Sequence, residues 1–198
     1  MITFLEGVLV EKMPTRVVLN VGGVGYEVFI PLSSYEPLPE KNEKCRLLLY
    51  DYVREDQHSL FGFVTDAERD VFVKLLSVSG IGPKLALSAL SGLSVREIIS
   101  SVAAGEVKRL NSISGVGKKI AERMVVELRE DFSEMGSTQS ATGISKALSV
   151  DENVRDAARA LISLGYKTTE AKKMVAAVAR AAGENMSVEV IVRKALSR

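Results

Sequence analysis

Two short segments of the sequence repeat each other and combine glycine, serine and lysine in a pattern suited to anion binding. Residues 77–86 read SVSGIGPKLA and residues 112–121 read SISGVGKKIA, at an offset of 35 residues. Two glycines around one apolar residue form a tight turn that exposes backbone N–H groups, and a helix that begins there adds the positive end of its dipole. With Ile81 or Val116 turned into the core, the amides and the following lysine face outward, and phosphate is the expected anion.

The candidate anion-binding residues are the small and cationic positions of these two turns: Ser79, Gly80, Gly82 and Lys84 in the first copy, and Ser114, Gly115, Gly117, Lys118 and Lys119 in the second. A lone GxG turn usually only connects two helices, but duplication with matched lysines favours phosphate binding. A nucleotide-binding P-loop is excluded, because Ser112 stands where its first glycine belongs and Lys119 stands where it needs Ser or Thr. The sequence therefore predicts no ATP site and no cofactor.

A second candidate group is acidic. The segment YVREDQH places Glu55 and Asp56 at a turn between two apolar segments, where a merely solvated turn is the common outcome. Adjacent carboxylates on a strand tip point in different directions, and Asp66, Glu68 and Asp70 are spread around a helix, so neither set is a ready Mg²⁺ site. We expect no metal and no metal-dependent cleavage.

The chain has one histidine, His58, and one cysteine, Cys45. A single histidine beside an exposed turn is more typical of a surface residue than of a catalyst, and it removes most Ser-His-Asp and Cys-His arrangements. A single cysteine excludes an internal disulfide and a multi-cysteine metal site, which suits a reducing cytoplasm. We expect a non-catalytic, cytoplasmic protein.

Composition restricts the class of protein further. With 46% hydrophobic residues the chain can form real cores, yet no apolar run reaches the roughly 18 residues of a membrane span, so a soluble protein is expected. The net charge of +1 argues against a uniformly basic coat for nucleic acid. The charge is partitioned, however: residues 1–63 hold 6 basic and 9 acidic residues, and residues 135–198 hold 10 and 6.

The elements that must position these groups fall into three predicted domains. Residues 1–63 contain short β-branched and aromatic segments broken by glycine and proline, which predicts a five-stranded barrel of the OB type. Residues 64–134 have helical spacing, with Asp66 as a candidate cap. Residues 135–149, rich in Ser, Thr and Gly, predict a flexible linker. Residues 150–198 predict a small three-helix bundle.

Together these features resemble the RuvA family of Holliday-junction recognition subunits. The resemblance lies in MITFLEGVLVEK, VGGVGYEV, YVREDQHSLFGF, GIGPKLAL, GVGKKIAER and ALISLGYK, and it covers essentially the whole chain apart from the linker. One departure is Ser114, where the family often has proline, and a serine hydroxyl can still cap the turn. The resemblance implies an OB-fold barrel, a tandem helix-hairpin-helix domain and a C-terminal bundle.

The resemblance also implies roles. The two hairpins would bind phosphates of four-way junction DNA without reading bases. Glu55 and Asp56 would form an acidic pin at the centre of a homotetramer. The resemblance leaves open whether the protein forms an octamer on DNA. The C-terminal domain would recruit the hexameric RuvB ATPase. Its candidate contact residues, which the core of the bundle could use instead, are Leu161, Leu164, Tyr166 and Leu196. A RuvC-type resolvase is a further partner, and the setting is recombination and DNA repair in the SOS response.

Two other functions stay open at this point: a structure-specific nuclease or its DNA-binding subunit, and a single-strand-binding OB protein. The role of Arg54, beside the acidic turn, is also open, since it can offset repulsion there or hold a phosphate. The charged residues of the last helix before residue 134 are either inter-subunit partners or solvated surface, namely Glu122, Arg123, Glu127 and Arg129.

Overall fold

The computed structural model describes residues 1–139, 148–182 and 186–197. They divide into two compact units, Met1–Gln139 and Ser140–Arg198. The first unit opens with five strands and one short helix: β1 (Phe4–Met13), β2 (Arg16–Val21), β3 (Val24–Phe29), α1 (Leu32–Tyr35), β4 (Lys44–Val53) and β5 (His58–Phe63). The strands close into a barrel in the order β1-β2-β3-β5-β4, with only β3 and β5 parallel. The predicted five-stranded barrel is confirmed.

Successive side chains of a strand point alternately into and out of the barrel, so the barrel contributes to two hydrophobic cores. Inward residues such as Leu9, Leu19 and Leu47 fill the barrel and are fully buried. Outward aromatic residues of β4 and β5 pack instead against Phe72, whose ring centroid lies 5.3 Å from that of Phe61 and 4.9 Å from that of Phe63. The predicted boundary at residue 63 therefore marks a change from strands to helices, but both sides of it contribute to one core.

Five helices complete the first unit: α2 (Asp66–Leu76), α3 (Pro83–Gly92), α4 (Val95–Ala104), α5 (Val107–Leu110) and α6 (Lys118–Gln139). The prediction of Asp66 as the cap of α2 is wrong. Thr65 is the N-cap, and its Oγ1 accepts the Glu68 N–H at 3.2 Å while the Glu68 carboxylate accepts the Thr65 N–H at 3.3 Å. Asp66 is the first helical residue and pairs with Arg69. Helical spacing alone does not locate a cap to one residue.

Glu68 fastens the helices to the barrel. Its side chain is buried, and it accepts hydrogen bonds from the hydroxyl groups of Ser33 and Ser34 in α1 as well as from Thr65. The Ser34 hydroxyl in turn accepts the Val64 N–H at 3.1 Å. One carboxylate thus accepts hydrogen bonds from both sides of the boundary between the barrel and the helices.

Replacing Glu68 with alanine should lower the free energy of unfolding by about 2–4 kcal/mol, since it leaves the buried Ser34 hydroxyl and three part-buried donors of Ser33 and Thr65 without their acceptor. Urea denaturation of the full chain measures this loss. Glu68→Gln, which keeps an acceptor oxygen, should lose clearly less, and Glu130→Ala, at an exposed position of α6, should change little. Equal losses for Glu68→Ala and Glu130→Ala would contradict the anchoring role.

The second unit consists of α7 (Leu148–Ser163), α8 (Thr168–Ala182) and α9 (Val188–Leu196). Buried residues from all three helices form its core, among them Leu161, Val175 and Ile191. The predicted three-helix part is confirmed. The linker prediction for residues 135–149 is too long, because α6 continues to Gln139 and α7 begins at Leu148; its remaining residues, 140–147, lie outside the described part of the chain.

Within the described ranges, no single helix is long and apolar enough to cross a membrane; one pair, α3 and α4, passes on length and composition together but is bent by 99°.

Candidate nucleic-acid interface

The two repeated segments form two turns of the same conformation. Gly80 and Gly115 adopt left-handed backbone conformations, with φ of 95° and 86°. Only glycine takes such angles without strain. The next apolar residue turns back into the core in both copies: the Ile81 N–H bonds the Val78 carbonyl and the Val116 N–H bonds the Ile113 carbonyl, each at 3.0 Å. Ile81 is 7% exposed and Val116 is 4% exposed, as the sequence predicts for the core-facing plug.

Each turn leads directly into the N-terminus of a helix. Gly82 is the N-cap of α3, with Pro83 at the first turn, and the Ala86 N–H bonds the Gly82 carbonyl at 3.0 Å. The Ala121 N–H bonds the Gly117 carbonyl of the second copy at the same distance. Each turn therefore presents the positive end of a helix dipole together with orphan amides.

The predicted anion-binding residues all lie at the surface of these turns. Ser79, Gly80, Gly82, Lys84, Ser114, Gly115, Gly117, Lys118 and Lys119 are at least partly exposed. Among the residues that the structure describes, the amides of Lys84 and Lys119 bond no acceptor in the chain. The Lys118 ammonium lies 3.9 Å from the Glu122 carboxylate, so Lys84 and Lys119 are the lysines better placed to meet a phosphate.

The two hairpins brace each other reciprocally. The hydroxyl group of Ser88 in α3 donates to the Ser114 carbonyl at 2.9 Å, and the Arg123 guanidinium in α6 donates to the Ser79 carbonyl at 3.1 Å. Ser88 and Arg123 are themselves 35 residues apart. Leu85 lies against Gly115 and Ile120 against Gly80, with the same spacing. The sequence repeat is thus a pseudo-two-fold repeat in space, which fixes the two turns relative to each other.

Sequence reasoning missed two residues of the first hairpin. Arg123 also donates to the Ser79 hydroxyl at 3.3 Å, and the Glu127 carboxylate accepts the Ser79 N–H at 3.3 Å. The repeat could have pointed to both residues, because the offset of 35 relates position 123 to Ser88 and position 127 to Gly92. At the matching position the second hairpin is braced by the neutral Ser88, whereas the first hairpin is held by two side chains of opposite charge, Arg123 and Glu127. The intersubunit role of Arg123 and Glu127 stays a prediction.

Glu55 and Asp56 lie exposed at the tip of the hairpin between β4 and β5. The Arg54 N–H bonds the Gln57 carbonyl at 2.7 Å, and the Gln57 N–H bonds the Arg54 carbonyl at 3.4 Å, which closes a two-residue turn. We call residues 53–58 the pin hairpin. Its geometry holds two carboxylates outward at the end of a stiff ladder.

One face of the pin hairpin is anchored by aromatic residues. Tyr52 meets Phe61 edge-on with 6.1 Å between ring centroids, and Phe61 packs on Phe72 of α2. Arg54 lies on this same face: its Nε donates to the Tyr52 hydroxyl at 3.0 Å and its guanidinium lies 5.1 Å from the Tyr52 ring centroid. That hydrogen bond raises the pKa of Arg54. The arginine is therefore a fixed cation at the base of the pin.

The opposite face is anchored by Asp51. Its carboxylate, only 6% exposed, accepts the Ile2 N–H at 2.9 Å and lies 2.6 Å from His58 Nε2. The bond from Ile2, followed by the contact with His58, lowers the pKa of Asp51 below its ordinary value. Cys45 in β4 is half-buried, and burial raises the pKa of its thiol.

The acidic residues that a nuclease would recruit are directed elsewhere. Glu68 is buried and bound by hydroxyl groups, and Asp66 is paired with Arg69. No group of three or more His, Cys, Asp or Glu side chains that suits a metal occurs in the described ranges.

In the C-terminal unit the predicted motor-binding residues differ in their exposure to solvent. Leu161 is fully buried in the bundle core, which favours the core alternative over the docking alternative for this residue. Leu164 is 61% exposed, Leu196 is 46% exposed and Tyr166 is half-buried. Helical spacing does not distinguish a core leucine from a surface leucine one turn away. Leu196 borders a groove between α7 and α9 whose apolar lining includes Ala160, Val188 and Val192.

Family comparisons match the chain in three parts. The model for the RuvA N terminal domain matches residues 1–62, the model for the SAM-like helix-hairpin-helix tandem matches residues 72–130, and the model for the RuvA C-terminal domain matches residues 152–198.

Curated relatives named Holliday junction branch migration complex subunit RuvA include proteins from three organisms that illustrate the range of similarity. The protein of Dechloromonas aromatica is 48% identical over 86% of both chains. The protein of Solibacter usitatus is 44% identical over 99% of this chain and 98% of its own. The protein of Halorhodospira halophila is 42% identical over 100% of this chain and 97% of its own.

Proposed function

The chain belongs to the RuvA family, and from that premise we propose that it binds four-way DNA junctions, without reading their sequence, as a subunit of a branch-migration complex in recombination and repair. The observation that carries the proposal is the duplicated hairpin. Two turns fixed relative to each other each offer orphan amides, a helix N-terminus and an exposed lysine, and these groups recognise phosphates regardless of base.

The pin hairpin supplies the preference for a junction. Carboxylates of Glu55 and Asp56 repel phosphates that approach them, which disfavours a continuous duplex running across the tip. An open crossover lets its strands diverge around the same charges. Affinity then comes from the hairpins and discrimination from the pin.

The assembly is a homotetramer, which places four pin hairpins together and gives each duplex arm its own hairpin pair. Two tetramers on one junction would need a contact between them, and we propose the outer face of α6 for it. Val126 is 80% exposed there, and charged residues of both signs, Arg129 and Glu130, lie within one turn of it. Sedimentation should give a mass of four chains for the free protein. For the complex with saturated junction it should give a mass of four or eight chains plus the DNA.

The C-terminal unit recruits the motor, a hexameric ATPase of the RuvB type. The groove between α7 and α9 has an apolar floor and charged residues, Glu189 and Arg193, in its lining, as protein docking sites have. Leu164 and Tyr166, which follow the C-terminal end of α7, remain further candidates for this contact.

Replacing Leu196 with aspartate should weaken motor binding by about tenfold while leaving junction affinity unchanged, because the position is exposed and belongs to the second unit. Titration of the RuvB-type ATPase against the protein on a labelled junction measures it. Asp156→Asn, an exposed change on α7, is the matched control and should bind the motor normally. Loss of junction binding in Leu196→Asp would contradict the division of labour.

The subunit itself is non-catalytic and cytoplasmic, and cleavage of the junction belongs to a separate resolvase of the RuvC type. Incubation of a four-way junction with the protein and Mg²⁺ should leave the strands intact, and addition of excess single strand should not displace the junction. Resolution into nicked duplexes would support the nuclease alternative, and preferential capture of the single strand would support a single-strand-binding protein.

A further inference from the structure

The pin hairpin projects beyond the strands that flank it in the barrel. β4 pairs with β1 as far as Leu48, and β5 pairs with β3 at Leu60 and Phe61. The two residue pairs nearest the tip lie past these contacts and join β4 to β5. An isolated two-stranded ribbon is at best marginally stable in water. The position of the two carboxylates at the tip therefore depends on the side chains that hold the base of the ribbon.

Asp51 holds one face of this base. Its side chain is 6% exposed, its Oδ2 accepts the Ile2 N–H at 2.9 Å, and its Oδ1 lies 2.6 Å from His58 Nε2. Ile2 belongs to the segment before β1, in which the Thr3 carbonyl accepts the Leu49 N–H of β4 at 2.8 Å. His58 is the first residue of β5. One carboxylate of β4 thus connects the N-terminal segment with the opposite strand of the ribbon.

The charge of Asp51 strengthens this connection. The bond from Ile2 lowers the pKa of Asp51, so the carboxylate is ionised at neutral pH. Hydrogen bonds to an ionised acceptor are stronger than those between neutral groups. Because the carboxylate is covered and each of its oxygens has a partner, the side chain has little freedom to rotate away from either of them.

The other face of the ribbon is held by aromatic residues. Tyr52 meets Phe61 edge-on, and Phe61 packs against Phe72 of α2, with 5.3 Å between the ring centroids. The ribbon is therefore held against bending on both sides, by the aromatic contacts on one face and by Asp51 on the other. Removal of the Asp51 carboxylate should free the ribbon on one side and leave the aromatic contacts in place.

We propose that Asp51 is a positioning residue for junction selectivity: by connecting Ile2 with His58 it fixes the direction in which the pin hairpin leaves the barrel. The inference rests on the proposed function, in which the Glu55 and Asp56 carboxylates repel continuous duplex. Carboxylates on a fixed tip repel a duplex that runs across it, whereas carboxylates on a mobile tip move aside. Asp51 itself is almost completely covered, so it acts through the hairpin rather than by contact with DNA.

Asp51→Ala should raise affinity for linear duplex by about threefold and leave junction affinity unchanged. Fluorescence anisotropy with each labelled DNA at neutral pH measures both affinities. Asp51→Asn removes the charge but keeps an acceptor oxygen for the Ile2 N–H and a polar group beside His58, so it should stay close to the wild type. Glu43→Ala is the matched control: its carboxylate also accepts a backbone N–H, that of Glu40 at 3.1 Å, but it lies before β4, at the end of the strand opposite to the pin hairpin.

A double-mutant cycle separates positioning from a general effect on the barrel. In a Glu55→Gln/Asp56→Asn background the tip no longer repels DNA, so the addition of Asp51→Ala should leave duplex affinity unchanged. Hydrogen exchange supplies a readout without DNA. The Arg54 N–H, which bonds the Gln57 carbonyl at 2.7 Å, should exchange about threefold faster in Asp51→Ala than in the wild type.

His58→Ala removes the other partner of the same carboxylate at a position that is 57% exposed, so it tests the inference even if Asp51→Ala does not fold. It should raise duplex affinity in the same direction as Asp51→Ala. The inference is overturned if duplex affinity is unchanged in both variants, if the gain persists in the neutral-pin background, or if Asp51→Asn gains as much as Asp51→Ala. Failure of the proposed function would differ from all three, because the wild type itself would then have no preference for the junction.

Discussion

Removal of the ammonium groups of Lys84 and Lys119 together should weaken binding to a four-way junction by about 100-fold, or ~2.7 kcal/mol. Each lysine follows a turn whose orphan amides and helix N-terminus already favour an anion, so its charge acts at a prepared phosphate site. Four subunits lose eight such charges at once. The effect should be the same for junctions of different sequence, since the hairpins bind phosphates.

Lys84→Ala/Lys119→Ala should also reduce the dependence of binding on salt. For each lysine–phosphate pair that is removed, the slope of log affinity against log salt concentration should become less steep by about 1. Anisotropy at several salt concentrations measures both quantities. Lys41→Ala/Lys44→Ala removes the same charge from exposed positions of the barrel segment and serves as the control. If the control loses as much affinity and slope as the hairpin variant, net charge rather than the hairpins holds the DNA.

Neutralising the pin should have the opposite effect. Glu55→Gln/Asp56→Asn should raise affinity for linear duplex by about tenfold and leave junction affinity unchanged or higher, because the carboxylates act by repulsion and touch no partner that binding requires. The hairpin should persist, since its turn is closed by backbone hydrogen bonds and its base is held by Tyr52 and Asp51.

Competition between junction and duplex measures the outcome. Glu6→Gln/Glu36→Gln, two exposed carboxylates away from the pin hairpin, is the matched control and should keep the wild-type preference. Loss of all DNA binding in the pin variant would show that the carboxylates are needed for attraction or for folding, which contradicts the repulsive role.

Much of this arrangement could be predicted because local patterns determine it. The β-branched and aromatic segments broken by glycine and proline predict the five-stranded barrel. The repeat locates both hairpins, since Gly80 and Gly115 need a backbone conformation that other residues avoid. The position of Glu55 and Asp56 follows from two strands with a polar turn between them. These are properties of neighbours in the chain.

The remainder depends on residues far apart in sequence. The repeat offset points to position 123 but not to its contact with Ser79, and no local pattern reveals that Glu68 accepts hydrogen bonds from the hydroxyl groups of α1. Burial of Leu161 beside exposed Leu164 depends on how α7 meets α8 and α9, and spacing on one helix does not fix it. The overlong linker has a compositional origin, because serine and glycine lower helix propensity without preventing α6 from continuing to Gln139.

The neutral overall charge also has a structural explanation. Exposed lysines and helix N-termini lie at the two turns, while exposed acidic residues lie at the pin. A protein that must attract four arms and repel DNA at their centre needs both signs in separate places.

The central claim is that the backbone of a four-way junction, rather than its sequence or a free single strand, is what this protein recognises. The most direct measurement is a competition at near-physiological salt between a labelled junction and an unlabelled linear duplex made of the same arm sequences, repeated with shuffled arms. We predict that the duplex competes about 100-fold less well than unlabelled junction, or worse, and that shuffling changes nothing. Equal competition by the duplex, or a preference that follows the sequence, would contradict the claim.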